Sequence, residues 1–520
     1  MGAARAHDLG GLARLRLAAP GVVSIAGQVL DKEELRAFYA IRGYRLAWDG
    51  EGVGLEPRAS VVVGVLMSAD REGLDPAEYH VREIAGLAAA QTDGARIDRD
   101  LLITDGLLHY AADVALGRLT PRQTDERVAA VDKAELEATV AMAAGGEAAK
   151  LADFLAGLAP ASPEYQALKG ELAELRAMAD AGGWESLPDG PSLRPGARDS
   201  VVPFLRRRLQ AERWIGAATP SRKAAGNQDL YDSKLSGAVA AFQAVHGIKP
   251  DGVVGKDTRA ALDVPLDARM HQAIANMERI RWGDIPREGR VVEVNLAAYS
   301  LVVYQDGAPI LTMPVVVGSS DNPTPIISTR ITTVVLNPNW TLPPNVIKEI
   351  LPRIHGDASY LAGRGIARIE EDGKVRLVQP PGPTNPLGHY KFIMPNDQDI
   401  YLHDSPDVVK FRYALRAYSH GCVRLGDAAA LATLLLDDRV ATLPDSLDAL
   451  VQTGSTRHIA LSKPVPVSFV YRTAWVNGSG RLIMGKDTYD RDQRIWKALH
   501  KPRTAPVRRF ASTAGPGQTL

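Results

Sequence analysis

At Val291 the chain changes texture. VVEVNLAAYSLVVYQDGAPILTMPVVVG, from Val291 to Gly318, is rich in β-branched residues and alternates in places. It holds Asp306-Gly307, a two-residue hairpin signal. ISTRITTVVLNPNW, from Ile327 to Trp340, continues the strand pattern. Nothing before Val291 reads this way. A pattern of period two does not sit as a helix, nor one of period 3.6 as a strand. One architecture therefore cannot hold the whole chain, and the fold class expected is multidomain α+β.

The part before the change is helical in pattern. Leu101 to Leu116 reads as an amphipathic helix stopped by Gly117 and Pro121. Ser162-Pro163 is a helix start, Leu168, Leu172 and Leu175 follow at helical spacing, and Gly182-Gly183 stop the run. Residues 1–190 are expected to form a mainly helical scaffold. Trp184 to Ser200, rich in proline, glycine and serine, reads as a boundary. A small helical unit is expected over 195–265, with helices at Val201–Ala211, Leu235–His246 and from Lys256 to Leu262. Leu266, Met270, Ile274 and Met277 mark a linking helix ending near Trp282.

Beyond the change, residues 285–455 read as a mostly-β domain. Residues 343–388 look irregular and form an insertion or lid. Tyr390–Met394 and Ile400–His403 are short strands, and Asp427 is an N-cap for a helix reaching Leu436. Residues 456–495 are expected to pack back on the scaffold. Residues 496–520 read as a basic disordered tail, since Arg494, Lys497, Lys501, Arg503, Arg508 and Arg509 follow Asp492 with no acid among them.

Composition excludes several classes. Of 520 residues, 61 are Lys or Arg and 61 are Asp or Glu, so no basic excess calls for nucleic acid. No apolar run approaches the roughly 18 residues of a membrane helix. The first 21 residues lack a clean apolar core for a signal peptide, because Arg14, Arg16 and Pro20 interrupt it. There is no P-loop and no dinucleotide-type glycine pattern.

Cys422 is the only cysteine. It lies in RAYSHGCVRLGD, Arg416 to Asp427, and is either a buried hydrophobe or a nucleophile. A nucleophilic thiol needs a base or cation close by. His420 is two residues away, and His403 ends the strand of IYLHD, so either is a candidate base. Asp404 is placed to orient an imidazole or to pair with Arg424. Gly421 lets backbone approach substrate closely, with the amides of Gly421 and Cys422 as oxyanion donors. Arg424 is either a carboxylate clamp or half of a structural ion pair. One cysteine and two histidines lack metal-ligand spacing, so no metal is expected.

IYLHDSP followed by SHGCVR resembles the catalytic motif of the YkuD-type L,D-transpeptidases. VVEVNLAAYSLVVYQDG, MPVVVG, LNPNWTLPPNV, VQPPGPTNPLGHYKFIMPN and RAYSHGCVRL are similar to the large YcbB-like branch. LSGAVAAFQAVHGIKPDGVVGKDTRAALDVPL resembles a three-helix peptidoglycan-binding domain, and LLITDGLLHYAADVALGRL the scaffold of that branch. The resemblance implies Cys422 as the acylated nucleophile and His403 as its base. It counts Gly421 and His420 of the cysteine loop with the catalytic residues and sets Tyr401, Arg424, Trp340, Ser419 and Asp404 beside the substrate. Trp340 and 343–388 become a cap over the groove. The implied reaction is acylation by the meso-diaminopimelate carbonyl of a donor tetrapeptide stem, release of D-alanine, and transfer to an acceptor amine as a 3→3 crosslink. The alternatives are a stem-peptide L,D-carboxypeptidase and a non-catalytic peptidoglycan-binding protein. No cofactor is implied. The implied partners are peptidoglycan stems and glycan, with envelope proteins besides. The implied location is the periplasm or envelope, with a signal absent from these 520 residues.

Overall fold

The computed structural model describes residues 8–49, 56–89, 91–120, 136–216, 228–283, 287–356, 359–371, 374–437, 445–478 and 480–503. The helical N-terminal part is built round α1 (Asp93–Leu116), capped at its start by the Thr92 hydroxyl. This helix is buried on almost every side rather than amphipathic. Its polar residues have partners: Asp100 accepts from the amides of Ala47 and Trp48, and Thr104 from the Trp48 indole at 2.9 Å. Buried polar groups satisfied in this way read from sequence as a solvent face, which is why the pattern misled.

Helix α2 (Pro163–Asp180) starts at Ser162 as the cap signal predicts. The small unit follows, with α3 (Val202–Ala211), α4 (Ser233–Val245) and α5 (Lys256–Leu262) closing on their own core of Leu205, Leu235, Val239, Phe242 and Leu262.

The linking helix, α6 (Leu266–Arg281), is a buried pillar. Its Ile274, Met277 and Ile280 pack with Leu168 and Leu172 of α2 and with Ile495 and Leu499 of the C-terminal helix. Its charges are matched by name. Arg281 pairs with Glu278 at 3.2 Å and donates to the Tyr165 hydroxyl at 2.7 Å. Arg279 meets Asp492 at 2.5 Å, and Glu278 accepts from the Leu119 amide. Gly117, φ +85°, closes α1 where a Cβ would lie 2.8 Å from the Trp282 ring, so glycine is needed there for space as well as conformation.

The β part is one sheet that closes on itself. Its strands are β1 (Arg290–Asn295), β2 (Ser300–Gln305), β3 (Ala308–Gly318) and β4 (Ser328–Leu336). Asp306 and Gly307, both at positive φ, make the turn between β2 and β3. A cap intervenes, comprising β5 (Trp340–Thr341), α7 (Pro344–Gly356), β6 (Ala367–Glu371) and β7 (Lys374–Gln379). Next come β8 (Tyr390–Ile393), β9 (Leu402–His403), β10 (Ala417–Ser419), β11 (Val423–Leu425), α8 (Ala428–Leu435) and β12 (Arg457–Val470). The strand order is β10-β3-β11-β9-β8-β4-β12-β1-β2, and β3 also pairs with β2, which completes the ring. Val292, Val294, Leu301, Val303, Val334, Phe392, Leu402 and Val423 fill it, with Leu431 and Leu435 of α8 beside them.

Three expectations change. The segment 343–388 is not irregular: α7 and the β5-β7-β6 sheet fold over a small core of Leu342, Val346, Ile366 and Leu377. The C-terminal segment does not begin to pack on the scaffold at 456, because β12 runs between β4 and β1 in the ring. Its prolines disguise it. The register shifts between Ala460 and Val465, around Pro464, where the ladder is interrupted. Only from β13 (Ala474–Val476) and β14 (Leu482–Met484) onward does the chain turn to α2 and α6. The expected tail from 496 is helical through Leu499 in α9 (Arg491–Leu499), and Arg503 pairs with Glu78 and Asp113. Arg508, Arg509 and the rest of 504–520 lie outside the described residues.

Candidate active site

Three adjacent strands carry the site. Lys391 on β8 is in register with His403 on β9, and His403 with Arg424 on β11. Paired residues share a face, so these three form a row across the sheet. Tyr401 and Cys422 directly precede β9 and β11. The Val423 amide donates to the Tyr401 carbonyl at 3.2 Å, fixing the two segments side by side.

The cysteine loop is tied internally. Ser419 donates its hydroxyl to the Cys422 carbonyl at 2.5 Å and accepts the Gly421 amide at 3.1 Å. Thr324 donates to the Gly421 carbonyl at 2.7 Å. Gly421 has φ +115°, which a side chain rarely adopts. Its expected role as an oxyanion donor changes, because its N–H is already committed to Ser419. Ser419 is thus a loop fastener.

His403 is buried, and its Nδ1 donates to the Asp404 backbone carbonyl at 2.6 Å. That bond selects the tautomer with a free Nε2 lone pair. The carboxylate expected to orient the ring is elsewhere. Asp404 Oδ1 accepts from Ser405 N and Oδ2 from His389 N, so the side chain braces its own loop and does not pair with Arg424. Burial first, then the Arg424 charge, pushes the His403 pKa down to about 3, with Lys391 adding to this and the Asp404 carbonyl opposing it. His403 is therefore a neutral imidazole at ordinary pH.

Burial raises the Cys422 thiol pKa, while Tyr401, Lys391 and Arg424 pull it back. The thiol lies 3.9 Å from the Asp399 carbonyl. Tyr401 is a hydrogen-bonding partner of Cys422 and of Trp340, which links the cap sheet to the nucleophile; burial raises its own phenol. His420 is half-exposed and bonds Glu349 of α7 at 2.6 Å, so it holds the cap rather than the sulfur.

Two residues were not singled out from sequence. Glu349 carries no motif, and only the apolar spacing of Ile347, Ile350 and Ile354 in the supposed loop could have placed it on a helix. Lys391 had a signal, a lysine inside the alternating strand YKFI. No metal was expected. Among the described residues, one trio brings ligand atoms together, His80, Asp105 and His109 in the helical part, where Asp105 bonds His80 at 2.7 Å and pairs with His109 at 3.2 Å.

A single cysteine just before β11, with a backbone-oriented histidine on the adjacent strand β9 of a closed sheet, is the residue set that thiol acyl transfer uses. Comparison with known families agrees: residues 289–457 match the L,D-transpeptidase catalytic domain, YkuD. Residues 33–172 match the Scaffold domain, and 199–262 the family described as "Putative peptidoglycan binding domain". Three stretches of the chain are thus similar, in order, to a scaffold domain, a peptidoglycan-binding domain and a YkuD-type L,D-transpeptidase catalytic domain.

A relative from Haemophilus influenzae named "Putative L,D-transpeptidase" is 31% identical over 238 residues, covering 42% of this chain and 48% of that one. This chain spans about half the length of that relative. Among solved structures, L,D-transpeptidase LdtMt1 in complex with imipenem is 18% identical, covering 35% of this chain and 59% of that one at TM-score 0.20. An L,D-transpeptidase from Mycobacterium smegmatis is 15% identical, covering 35% and 58% at TM-score 0.19.

Proposed function

We propose that this protein is a peptidoglycan L,D-transpeptidase of the cell envelope. The observation that carries the reading is the chain's only thiol, on the strand segment next to that of a histidine whose Nδ1 is held by a backbone carbonyl, within the matched catalytic domain. His403 Nε2 takes the thiol proton as sulfur attacks the meso-diaminopimelate carbonyl of a donor tetrapeptide. The Cys422 amide, rather than that of Gly421, faces the oxyanion. The carbon–nitrogen bond to D-alanine breaks, and the imidazolium returns its proton to the leaving amine. An acceptor amine then attacks the thioester, His403 removes its extra proton, and the thiolate leaves and is reprotonated. With a diaminopimelate side-chain amine the product is a 3→3 crosslink. The cap of α7 and its sheet favours amine over water by limiting access to the thioester.

A further expectation is that a carbapenem acylates Cys422, because its strained lactam carbonyl imitates the donor amide and traps the thiol as a thioester. The test of function is incubation with disaccharide-tetrapeptide and mass analysis of the products. Crosslinked dimers with free D-alanine support the reading. Tripeptides alone make it a hydrolase, and unchanged substrate makes it a binder.

A further inference from the structure

The site holds two cations that its own chemistry does not obviously need. Among the described residues, no carboxylate forms an ion pair with Lys391 or with Arg424, and Arg424 Nε is buried without a hydrogen-bond partner. A half-buried ammonium loses hydration, and burial does lower the Lys391 pKa. The Lys391 side chain lies over Tyr401, with Nζ 3.9 Å from the ring centroid. Tyr401 is in turn a hydrogen-bonding partner of Cys422. The ammonium therefore lies over the residue that precedes β9 and bonds the thiol, and Lys391 and Cys422 each feel the other's charge.

The charge balance gives this a purpose. In a thiol–imidazole pair the imidazolium ordinarily balances the thiolate. Here His403 is buried with Arg424 and Lys391 near it, and both oppose its protonation. The remaining groups at the sulfur do not supply a counter-charge. Tyr401 is a neutral phenol, the Asp399 backbone presents a carbonyl, and His420 is engaged by Glu349. The Asp399 carboxylate acts on Lys391 in the same sense as the thiolate does.

We propose that Lys391 is a charge partner of the Cys422 thiolate, its ammonium balancing sulfur's negative charge alongside the imidazolium formed when His403 takes the thiol proton. Arg424 assists from the neighbouring position on β11. Lys391 acts electrostatically and exchanges no proton in the step. The thiol proton passes to His403, and the cations make that imidazolium a strong acid toward the departing amine. The inference rests on the proposed function only in taking Cys422 as the nucleophile.

Because Cys422 is the only cysteine, alkylation of the full chain reports on this sulfur alone. Iodoacetamide rates are measured by intact mass from pH 5 to 10 for the wild type, Lys391→Met and Lys391→Arg, each checked for an unchanged melting transition. Lys391→Met is expected to move the rate profile to higher pH and to slow alkylation at pH 7 about tenfold, the effect of roughly one pKa unit. Lys391→Arg, which keeps the charge, is expected to stay within about threefold of wild type. A Lys391→Met profile superimposable on wild type overturns the inference and leaves the nucleophile reading intact. Wild-type protein that resists alkylation throughout the range overturns both.

Discussion

Two sets of cations in this molecule, one buried in a helix and one half-buried on the sheet, are held on opposite terms. In the pillar α6, Arg281 and Arg279 each face a named carboxylate, Glu278 and Asp492, Arg281 also donates to the Tyr165 hydroxyl, and Glu278 accepts the Leu119 amide. On the catalytic face, Lys391 and Arg424 have no such partner among the described residues. A matched buried charge holds elements in register, whereas an unmatched one is a standing cost that persists where an anion is to arrive or form. The pillar's charges are thus architectural and those of the sheet chemical. The contrast distinguishes them without reference to any relative.

The largest effect that tests this contrast is at the nucleophile itself. Cys422→Ala is expected to abolish D-alanine release and to leave the melting transition in place, since the loop is held by Ser419 and Thr324 rather than by the sulfur. Turnover by that variant, followed as released D-alanine, would remove Cys422 from the mechanism.

Next come the two histidines. His403→Ala is expected to slow acylation about 10²-fold or more near neutral pH, the usual loss for a general base. His420→Ala should lose far less, because its ring is turned to Glu349. With its pKa down at about 3, His403 stays neutral well below the ordinary histidine value, so the acid limb of acylation should lie below pH 6. The same depression links stability to pH. The unfolded state binds a proton near pH 6.5 that the folded state does not, so stability falls as pH drops from there toward 3. A limb centred at 6.5 in stopped-flow acylation would contradict the neutral-imidazole assignment.

The matched and unmatched arginines can then be compared directly. Arg281→Met strands Glu278 in the core and is expected to cost about 3 kcal/mol or more in chemical denaturation. Arg424→Met removes a charge that has no ion pair among the described residues, the Asp407 carboxylate acting on it only from a distance. It is expected to leave stability nearly unchanged while slowing acylation about tenfold. If both variants lost stability equally, the division between architectural and chemical cations would fail.

The smallest effect concerns the cap. Glu349→Gln weakens an exposed tie to His420 and is expected to raise the ratio of hydrolysis to transfer about two- to threefold, in line with the small worth of exposed ion pairs. Product ratios from the tetrapeptide assay would show it, and an unchanged ratio would mean that the tie does not govern water access.

The sequence made the strands, the cysteine loop and most helix ends legible, because these rest on local rules. Asp427 caps α8, Ser162 starts α2, and Asp306-Gly307 turns β2 into β3. What it hid depends on partners distant in the chain. The polar residues of α1 look exposed until Trp48 and Ala47 are seen against them. The Asp404 carboxylate looks like the orienter of His403 until its bonds to Ser405 and His389 are counted. Proline disguised β12 as a peripheral segment, and the cap's helix was lost among the prolines and glycines of 343–388. Lys391 became conspicuous only when strand register set it in line with His403 and Arg424.

The place of β12 also bears on how the molecule comes into being. Arg457–Val470 lies between β4 and β1, both made much earlier, and the ring cannot close around Cys422 until residue 470 has left the ribosome. Until then β1 and β4 expose open edges, which are templates for wrong pairing. The nascent chain therefore carries an unfinished site with a bare thiol, and its last strand works as a biosynthetic keystone. The ring closes with Val470, and only after it can Ile495, Leu499 and Arg503 complete the packing of the helical part.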